Sequence, residues 1–186
     1  MRLVLLGPPG AGKGTQAEAL AGHFGVPHIS SGELLRRHVA SGTTLGREVT
    51  GYLDRGELAP DDLVMAVVDE ALAGAASGYI LDGFPRTLSQ AEKAEARRGG
   101  AFADAVVFLD VANGVARRRM AQRLAGRSDD RDRGVIDRRL RTFHEETDPV
   151  VHYYRDRGML VTVDAAQPPE AVTAAILAAL AGRRPG

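Results

Sequence analysis

Short apolar runs alternate with longer amphipathic segments along the chain. A run such as Leu3-Val4-Leu5-Leu6 has no polar alternation, which is typical of a strand buried on both faces of a parallel sheet. Five strands are predicted in this way, at 2–6, 27–30, 79–82, 105–109 and 160–163. Because segments of helical periodicity separate them, we expect an α/β fold, a parallel five-stranded sheet with helices on both faces.

The predicted helices are bounded by residues with known preferences at helix ends. Gly25 ends the first helix and Pro60 opens a later one. Ser30 and Glu33 have the Ser-x-x-Glu spacing of a capping box, and Pro149 predicts a kink or break in the longest helix. The helices are predicted at 13–24, 31–41, 45–53, 60–72, 88–98, 114–124, 135–157 and 168–180.

A single domain accounts for the 186 residues. Two short helices within 30–59 are too little for a separate domain, but they suffice for a mobile flap. Residues 125–134 (AGRSDDRDRG) form a short, highly charged loop between two helices. We therefore expect a core of 1–29, 60–124 and 135–186, a helical insertion of 30–59, and a loop of 125–134.

The stretch from Gly7 to Thr15 (GPPGAGKGT) has the strongest chemical signal. A strand precedes it and a helix follows it, which is the arrangement that cradles the phosphates of a nucleotide. Its glycines let successive backbone N–H groups point at an anion, and Lys13 adds a point charge. Gly14 stands where the strict pattern has Ser or Thr, and the hydroxyl comes one residue later at Thr15.

Composition excludes several functional classes. Acidic and basic residues balance at 24 each, so the charge gives no support to a nucleic-acid or membrane partner. The absence of cysteine rules out disulfides and thiolate metal sites. The longest apolar runs are strand-sized and no signal peptide is apparent, so we expect a cytoplasmic protein. Only Lys13 and Lys93 are lysine in an arginine-rich chain, so a lysine kept in the glycine loop looks required.

Asp82 and a set of arginines extend the phosphate chemistry. Asp82 ends the third predicted strand at the same sheet edge, where its carboxylate can hold Mg²⁺ directly or through water. Guanidinium groups from separate elements suit a phosphoryl group in transfer, because its charge lies on its oxygens. The candidates are Arg36, Arg86, Arg123, Arg127 and Arg139. The others in this part of the chain, Arg117, Arg118, Arg119 and Arg141, are interpreted as solvated surface.

No serine or cysteine nucleophile stands out, and the five histidines have no metal-ligand spacing. Direct transfer between two bound phosphates needs no enzyme nucleophile. It needs positioning, charge and exclusion of water.

These segments together closely resemble the adenylate kinase family in its short-lid form, over nearly the whole chain. The resemblance rests on Gly7 to Gln16 (GPPGAGKGTQ), Ile29 to Arg36 (ISSGELLR), Leu81 to Thr87 (LDGFPRT), Gln90, and Arg123 to Asp130 (RLAGRSDD). It implies a P-loop NTPase-type fold with an NMP-binding flap at 30–59 and a short lid at 125–134. It also implies the reversible, Mg²⁺-dependent reaction of ATP with AMP to give two ADP, by direct in-line transfer.

The resemblance also implies roles for individual residues. ATP would be bound by Gly10, Ala11, Gly12, Lys13, Gly14, Thr15, Arg123, Arg127 and Gln167. AMP would be bound by Ser31, Arg36, Glu57, Leu58, Ala59, Gly83, Phe84, Pro85, Arg86, Gln90 and Arg139, with Gln90 hydrogen-bonded to adenine. The catalytic cations would be Lys13, Arg86, Arg123, Arg127 and Arg139.

The lid departs from the family pattern at Ser128, where relatives usually have an arginine. Arg127 could serve both roles, or Arg131 or Arg133 could substitute, and the sequence leaves these alternatives open. Ser31 stands where the family usually has Thr and keeps the hydroxyl. The chain has neither the length nor the cysteines of the long, zinc-binding lid, so no structural zinc is expected.

Two other functions compete with an ATP:AMP phosphotransferase. A UMP/CMP kinase of the same superfamily is disfavoured by Gln90, which is placed to recognise adenine. A nucleotide-binding module without transfer activity would have no use for an acceptor-side set such as Ser31, Arg36 and Arg86. The resemblance further implies a monomer with ATP, AMP and ADP as its small-molecule substrates.

Overall fold

The computed structural model describes residues 1–100, 102–122 and 133–182, and five of its segments pair into one parallel sheet. The strands are β1 (Arg2–Leu6), β2 (His28–Ser30), β3 (Tyr79–Asp82), β4 (Ala105–Asp110) and β5 (Leu160–Asp164). Their order across the sheet is β2-β3-β1-β4-β5. The predicted α/β fold with a parallel five-stranded sheet is confirmed.

Nine α-helices within the described residues connect or flank these strands. They are α1 (Lys13–Phe24), α2 (Ser31–Ala40), α3 (Thr44–Arg55), α4 (Asp61–Ala73), α5 (Leu88–Arg97), α6 (Asn113–Gln122), α7 (Arg133–Thr142), α8 (Asp148–Asp156) and α9 (Pro169–Ala181). Most of the predicted lid at 125–134 lies outside the described residues, between α6 and α7.

Side chains of the central strand β1 alternate between two cores, one on each face of the sheet. Leu3 and Leu5 pack into the core that includes Ile80, while Val4 and Leu6 pack into the core that includes Leu81. These four apolar side chains of β1 are at most 2% exposed. Helices therefore cover both faces, as the unbroken apolar run of β1 predicts.

Strand register brings the chemically informative residues to one edge. Asp82 pairs with Leu5 of β1 and with Ser30 of β2, so these three strands end side by side. The loop after β1, the start of α2 and the segment after β3 consequently meet at this edge. In parallel α/β sheets this is where ligands bind.

The start of α2 differs from the sequence prediction. α2 begins directly after Ser30, but the Ser30 side chain makes no capping hydrogen bond, so the predicted capping box is wrong. Ser30 is still extended, at φ −107° and ψ 114°, and its backbone belongs to β2, where it pairs with Asp82. An extended backbone is normal at an N-cap, so it is only the side chain of Ser30 that fails to cap α2, while its backbone pairs with the sheet.

Backbones of α2 and α3 cross in direct contact within the flap, residues 30–59. A Cβ atom at Gly46 would lie 2.1 Å from the carbonyl oxygen of His38, so only glycine fits the crossing. The Thr43 hydroxyl caps α3 by accepting from the Gly46 N–H at 3.0 Å. The two helices thus form one tightly packed unit.

A π-helical turn at Phe143–Thr147 separates α7 from α8, and Pro149 lies in the first turn of α8. The predicted break in the long helix near Pro149 is confirmed. A proline is accepted there because the first turn of a helix has backbone N–H groups without intrahelical partners.

Across the described ranges 1–100, 102–122 and 133–182, none of the helices combines the length and the apolar character that a membrane crossing needs.

A half-buried acid, Glu95, lies between α5 and α8, away from the carboxyl edge of the sheet. Glu95 Oε1 and the Tyr154 hydroxyl are both buried, and neither makes a hydrogen bond of good geometry to the residues that the structure describes. Burial raises the pKa of the Glu95 carboxyl, and the nearby Phe102 N–H and Tyr154 hydroxyl offset this only in part.

Glu95→Gln should therefore change the pH dependence of stability. A carboxyl with a raised pKa in the folded state stabilises the fold below its ordinary pKa of about 4.3, and this contribution is lost as the pH rises through the raised value. The Glu95→Gln variant cannot ionise at this position, so its free energy of unfolding should match the unaltered chain at low pH and exceed it at neutral pH. Urea unfolding across this pH range measures the difference.

The control is Glu92→Gln, which neutralises an exposed acid on the same helix. If both substitutions change the pH profile equally, burial of Glu95 is not the cause.

Candidate active site

A cavity of about 220 Å³ opens at the carboxyl edge of β1, β2 and β3. Its walls are the glycine loop, the start of α2, the end of the flap, the segment after β3, and α7 with the turn that follows it. Fifteen of the predicted site residues line it: Gly10, Gly12, Lys13, Gly14, Ser31, Arg36, Glu57, Leu58, Ala59, Asp82, Gly83, Pro85, Arg86, Gln90 and Arg139.

The glycine loop wraps around the N-terminus of α1. Gly10 and Gly12 have φ values of +86° and +97°, a backbone conformation that residues with a Cβ atom rarely adopt. Lys13 opens the helix, and its Nζ donates to the carbonyl oxygens of Gly7 at 2.7 Å and Pro8 at 3.1 Å. The ammonium is therefore held within the loop, beside the positive end of α1, and this arrangement attracts anions.

Three arginines from distant parts of the chain converge on the same cavity. A Cβ atom at Gly32 would lie 3.2 Å from Arg36 Nη1 and 3.6 Å from Arg86 Nη2, so these two guanidinium groups are neighbours. Burial lowers the pKa of Arg86, and the charges of Arg139 and Arg36 lower it further against the opposing effect of Asp82. Four cations, Lys13 included, therefore share the cavity wall with the acids Glu33, Glu57 and Asp82.

Asp82 is the carboxylate at this edge of the sheet. Burial by itself raises the pKa of its carboxyl, but contact with His28 and the charges of Lys13 and Arg86 outweigh burial and leave the pKa lowered. His28 Nε2 lies 3.8 Å from Asp82 Oδ2, and this contact raises the pKa of His28. An ionised oxygen ligand thus faces the glycine loop.

The segment after β3 is fixed by hydrogen bonds to its backbone. Ser31 Oγ and Arg86 Nε both donate to the Gly83 carbonyl oxygen, at 2.6 and 2.7 Å. The Thr147 hydroxyl donates to the Arg86 carbonyl oxygen at 2.9 Å. The Phe84–Pro85 peptide bond is cis. Arg86 is consequently tied to both α2 and the π-helical turn.

The end of the flap contacts α7. A Cβ atom at Gly56 would lie 3.0 Å from Arg139 Cγ. Arg138 Nη1 lies 3.3 Å from the Arg55 carbonyl oxygen and 3.6 Å from Glu57 Oε1. These exposed contacts are individually weak, but they bring Glu57–Ala59 to the same cavity wall as Arg139.

Arg119 is a residue that the sequence interpretation missed. Its guanidinium donates to the Ala165 carbonyl oxygen at 2.9 Å, with longer contacts of 3.4 Å to that of Ala166 and 3.5 Å to that of Ala11. The interpretation of Arg119 as solvated surface is therefore wrong. It joins α6 to both the glycine loop and the loop after β5.

Among the predicted site residues that the structure describes, four do not line the cavity: Ala11, Thr15, Phe84 and Gln167. Phe84 is 1% exposed and its ring packs 6.0 Å from that of Phe102, so its side chain belongs to the core. Gln167 Nε2 donates to Asp164 Oδ2 at 3.0 Å, in the loop that Arg119 holds.

The lid positions lie outside the described residues, and the question of which arginine compensates for Ser128 stays open. This applies to Arg123, Arg127, Ser128 and Arg131, and to the side chain of Arg133. Over the described remainder, no group of three or more His, Asp or Glu side chains is arranged to hold a metal ion.

Comparison with known proteins gives a consistent result over nearly the whole chain. The family model described as "Adenylate kinase" matches residues 5–159. An adenylate kinase 1 of Nostoc sp. is 46% identical over 183 residues, which cover 96% of this chain and 98% of that protein. An adenylate kinase of Mycobacterium tuberculosis is 47% identical over 184 residues (97% and 99%), and one of Thermobifida fusca is 43% identical over 189 residues (98% and 100%).

Gly10→Ala should destabilise the fold more than Gly12→Ala. Both glycines have positive φ values, so the two variants share a similar backbone strain. A Cβ at Gly10 would lie 2.5 Å from the Ala116 carbonyl oxygen, whereas a Cβ at Gly12 would have no heavy atom within 4 Å among the neighbours that the structure describes. The added clash should cost about 1–3 kcal/mol in the free energy of unfolding, measured by urea titration. Equal losses would contradict the close packing of the loop on α6.

Proposed function

The chain belongs to the adenylate kinase family and is a nucleoside monophosphate kinase, and we propose that the cavity at the carboxyl edge of its sheet is where a phosphoryl group passes from ATP to AMP. The observation that carries this proposal is the convergence of Lys13, Arg36, Arg86 and Arg139 on that single cavity. These half-buried cations come from four separate elements and repel one another, and bound phosphate would compensate that repulsion.

The acceptor side of the cavity fits AMP. Arg36 and Arg86 lie together, where they can hold the AMP phosphate in bidentate fashion. Leu58 and Ala59 offer backbone groups along the flap wall, and Gln90 offers a carboxamide for the base. Gly83 and Pro85 complete the wall, while Phe84 contributes through its backbone.

The donor side is the glycine loop. Its backbone N–H groups from Gly10 to Thr15 and the Lys13 ammonium surround the β- and γ-phosphates of ATP. Gln167, in the loop after β5, presents its backbone carbonyl to the adenine of ATP. Arg119 supports this arrangement because it holds that loop against Ala11.

Transfer occurs directly between the two nucleotides. An oxygen of the AMP phosphate attacks the γ-phosphorus of ATP in line, and the bond from that phosphorus to the β,γ-bridging oxygen breaks, which gives two ADP. The protein stabilises charge on the oxygens of the moving group through Lys13, Arg86 and Arg139, and it excludes water. Arg123 and Arg127 of the proposed lid complete the set of cations.

Members of this family generally use Mg²⁺ with ATP, and Asp82 fits that use. It is an ionised, hard oxygen ligand, and a Cβ at Gly14 would lie 3.9 Å from its Oδ2, so it faces the phosphate loop. A bound Mg²⁺ would neutralise phosphate charge, and Asp82 would hold it, most simply through a coordinated water.

We also propose the division into a core, a flap at 30–59 and a short lid at 125–134, and a monomer without a structural zinc ion. A cytoplasmic location without nucleic-acid or membrane partners stays a prediction.

The function itself is tested by coupled ADP formation from Mg·ATP with AMP, UMP, CMP or GMP. Turnover with AMP alone is expected. A preference for UMP or CMP would identify a UMP/CMP kinase, and no turnover from folded protein would identify a non-catalytic nucleotide-binding module.

Lys13→Met should lower kcat for ADP formation by about 100- to 1000-fold, because it removes one preorganised cation from the transferred group. Lys93→Met is the matched control, since Lys93 is the only other lysine and its exposed Nζ lies 3.2 Å from Asp62. Unaltered kcat in the Lys13 variant would refute the catalytic role of this residue.

Arg119→Met should raise KM for ATP by about 3- to 10-fold and leave KM for AMP unchanged, because it removes hydrogen bonds worth about 1 kcal/mol each from the loop beside Gln167. Arg118→Met alters an exposed neighbour on the same helix and serves as the control. Equal changes in both KM values would show that Arg119 acts on the fold as a whole.

A further inference from the structure

Gln90 is 1% exposed as a residue, and it forms part of the cavity wall with its carboxamide side chain. The two ends of a carboxamide differ, since the oxygen accepts hydrogen bonds and the nitrogen donates them. Rotation by 180° about the Cγ–Cδ bond exchanges these ends. A carboxamide that can rotate therefore serves either of two opposite hydrogen-bond patterns on a base.

Two partners fix the orientation of the Gln90 carboxamide. Asp61 Oδ1 accepts from Gln90 Nε2 at 2.7 Å, and the backbone N–H of Arg86 donates to Gln90 Oε1 at 2.8 Å. A carboxylate can only accept, and a backbone N–H can only donate. The rotated carboxamide would set oxygen against oxygen at Asp61 and N–H against N–H at Arg86. The chemistry of the partners thus allows a single orientation.

Asp61 is itself held in place. The Thr87 hydroxyl donates to both oxygens of Asp61 at 3.1 Å, and it accepts from the Gln90 backbone N–H at 3.1 Å. Asp61 is also the first residue of α4, where the positive end of the helix favours a carboxylate. Residues from α4 and α5 therefore share one hydrogen-bonded unit, and we call Asp61, Thr87 and Gln90 the amide lock.

We propose that Asp61 is a positioning residue that makes the acceptor site specific for 6-aminopurine over 6-oxopurine monophosphates. This inference rests on the proposed function, because it assumes that Gln90 contacts the base of AMP. In the locked orientation, the second N–H of Gln90 donates and the second lone pair of Oε1 accepts. Adenine matches them with an acceptor at N1 and a donor at N6.

Hypoxanthine has the reverse pattern, a donor at N1 and an acceptor at O6. It would match only the rotated carboxamide, which Asp61 opposes with a full negative charge. Rejection of inosine monophosphate (IMP) therefore originates at Asp61, which contacts Gln90 and does not itself touch the base. Buried hydrogen-bonding groups left with the wrong partner are the strongest source of discrimination between ligands of the same shape.

Asp61→Asn tests this directly, because an asparagine side chain has almost the same shape as that of Asp61 and can either donate or accept. The dissociation constants of AMP and IMP are measured by titration calorimetry. The ratio of the IMP constant to the AMP constant should fall by about 10- to 100-fold, the range for a lost hydrogen bond to a charged group. If Asp61 had a merely structural role, the substitution would raise the dissociation constants of AMP and IMP by the same factor. That result would overturn the proposal.

Asp62→Asn is the matched control. It removes the same charge from the same end of α4, but the Asp62 side chain is 88% exposed and bonds to Lys93. This variant should keep the ratio of the unaltered chain. An equal fall in the Asp62 variant would also overturn the proposal, since the effect would then come from charge alone.

A measurement on the unaltered chain covers the case in which the Asp61 variant fails to fold. In ¹⁵N NMR spectra, the Gln90 side-chain proton that is donated to Asp61 should exchange slowly with water. Rapid exchange of both side-chain amide protons would contradict the amide lock. Failure of the proposed function is distinguishable, because it would appear as absent ADP formation from AMP in the unaltered chain.

Discussion

Mutual repulsion among closely spaced, half-buried cations is the constraint on which the site depends. Arg86 is surrounded by Arg36 and Arg139, and its lowered pKa reflects both burial and these like charges. Such an arrangement is unfavourable in an isolated protein, and the sheet and its helices must hold it in place. Asp82 and the carbonyl oxygens around Lys13 and Arg86 compensate part of the charge. In the proposed function, the phosphates of the nucleotides add further negative charge to this set, so part of the stability supplied by the cores is used to prepare the site.

Parallel pairing determines which residues meet. β1 lies between β3 and β4, so the loop that leaves β1 emerges beside the Asp82 end of β3. No local property of either segment determines this proximity, which comes from register. The same pairing places Ser30 next to Asp82 and so points the beginning of α2 into the cavity. A single sheet edge therefore assembles loop, carboxylate and arginines.

Most of the fold could be predicted from the sequence because its signals are local. The apolar runs, the glycine loop and the break near Pro149 depend on neighbouring residues alone. The errors at Ser30 and Arg119 come from contacts that are distant in sequence. Ser30 pairs with another strand, and Arg119 donates to carbonyl oxygens of remote loops. In a chain with many arginines, nothing local distinguishes Arg119 from Arg118. The partnership of Gln90 with Asp61, 29 positions apart, is equally invisible without the fold.

The crossing at Gly46 has a consequence for nucleotide binding. Because α2 and α3 touch backbone to backbone there, the two helices would have to move together in any motion of the proposed flap. Asp61, Thr87 and Gln90 all lie outside the flap, on α4 and at the start of α5. In the proposed mechanism, the group that recognises the base is therefore oriented by the core alone, and its orientation does not depend on any motion of the flap.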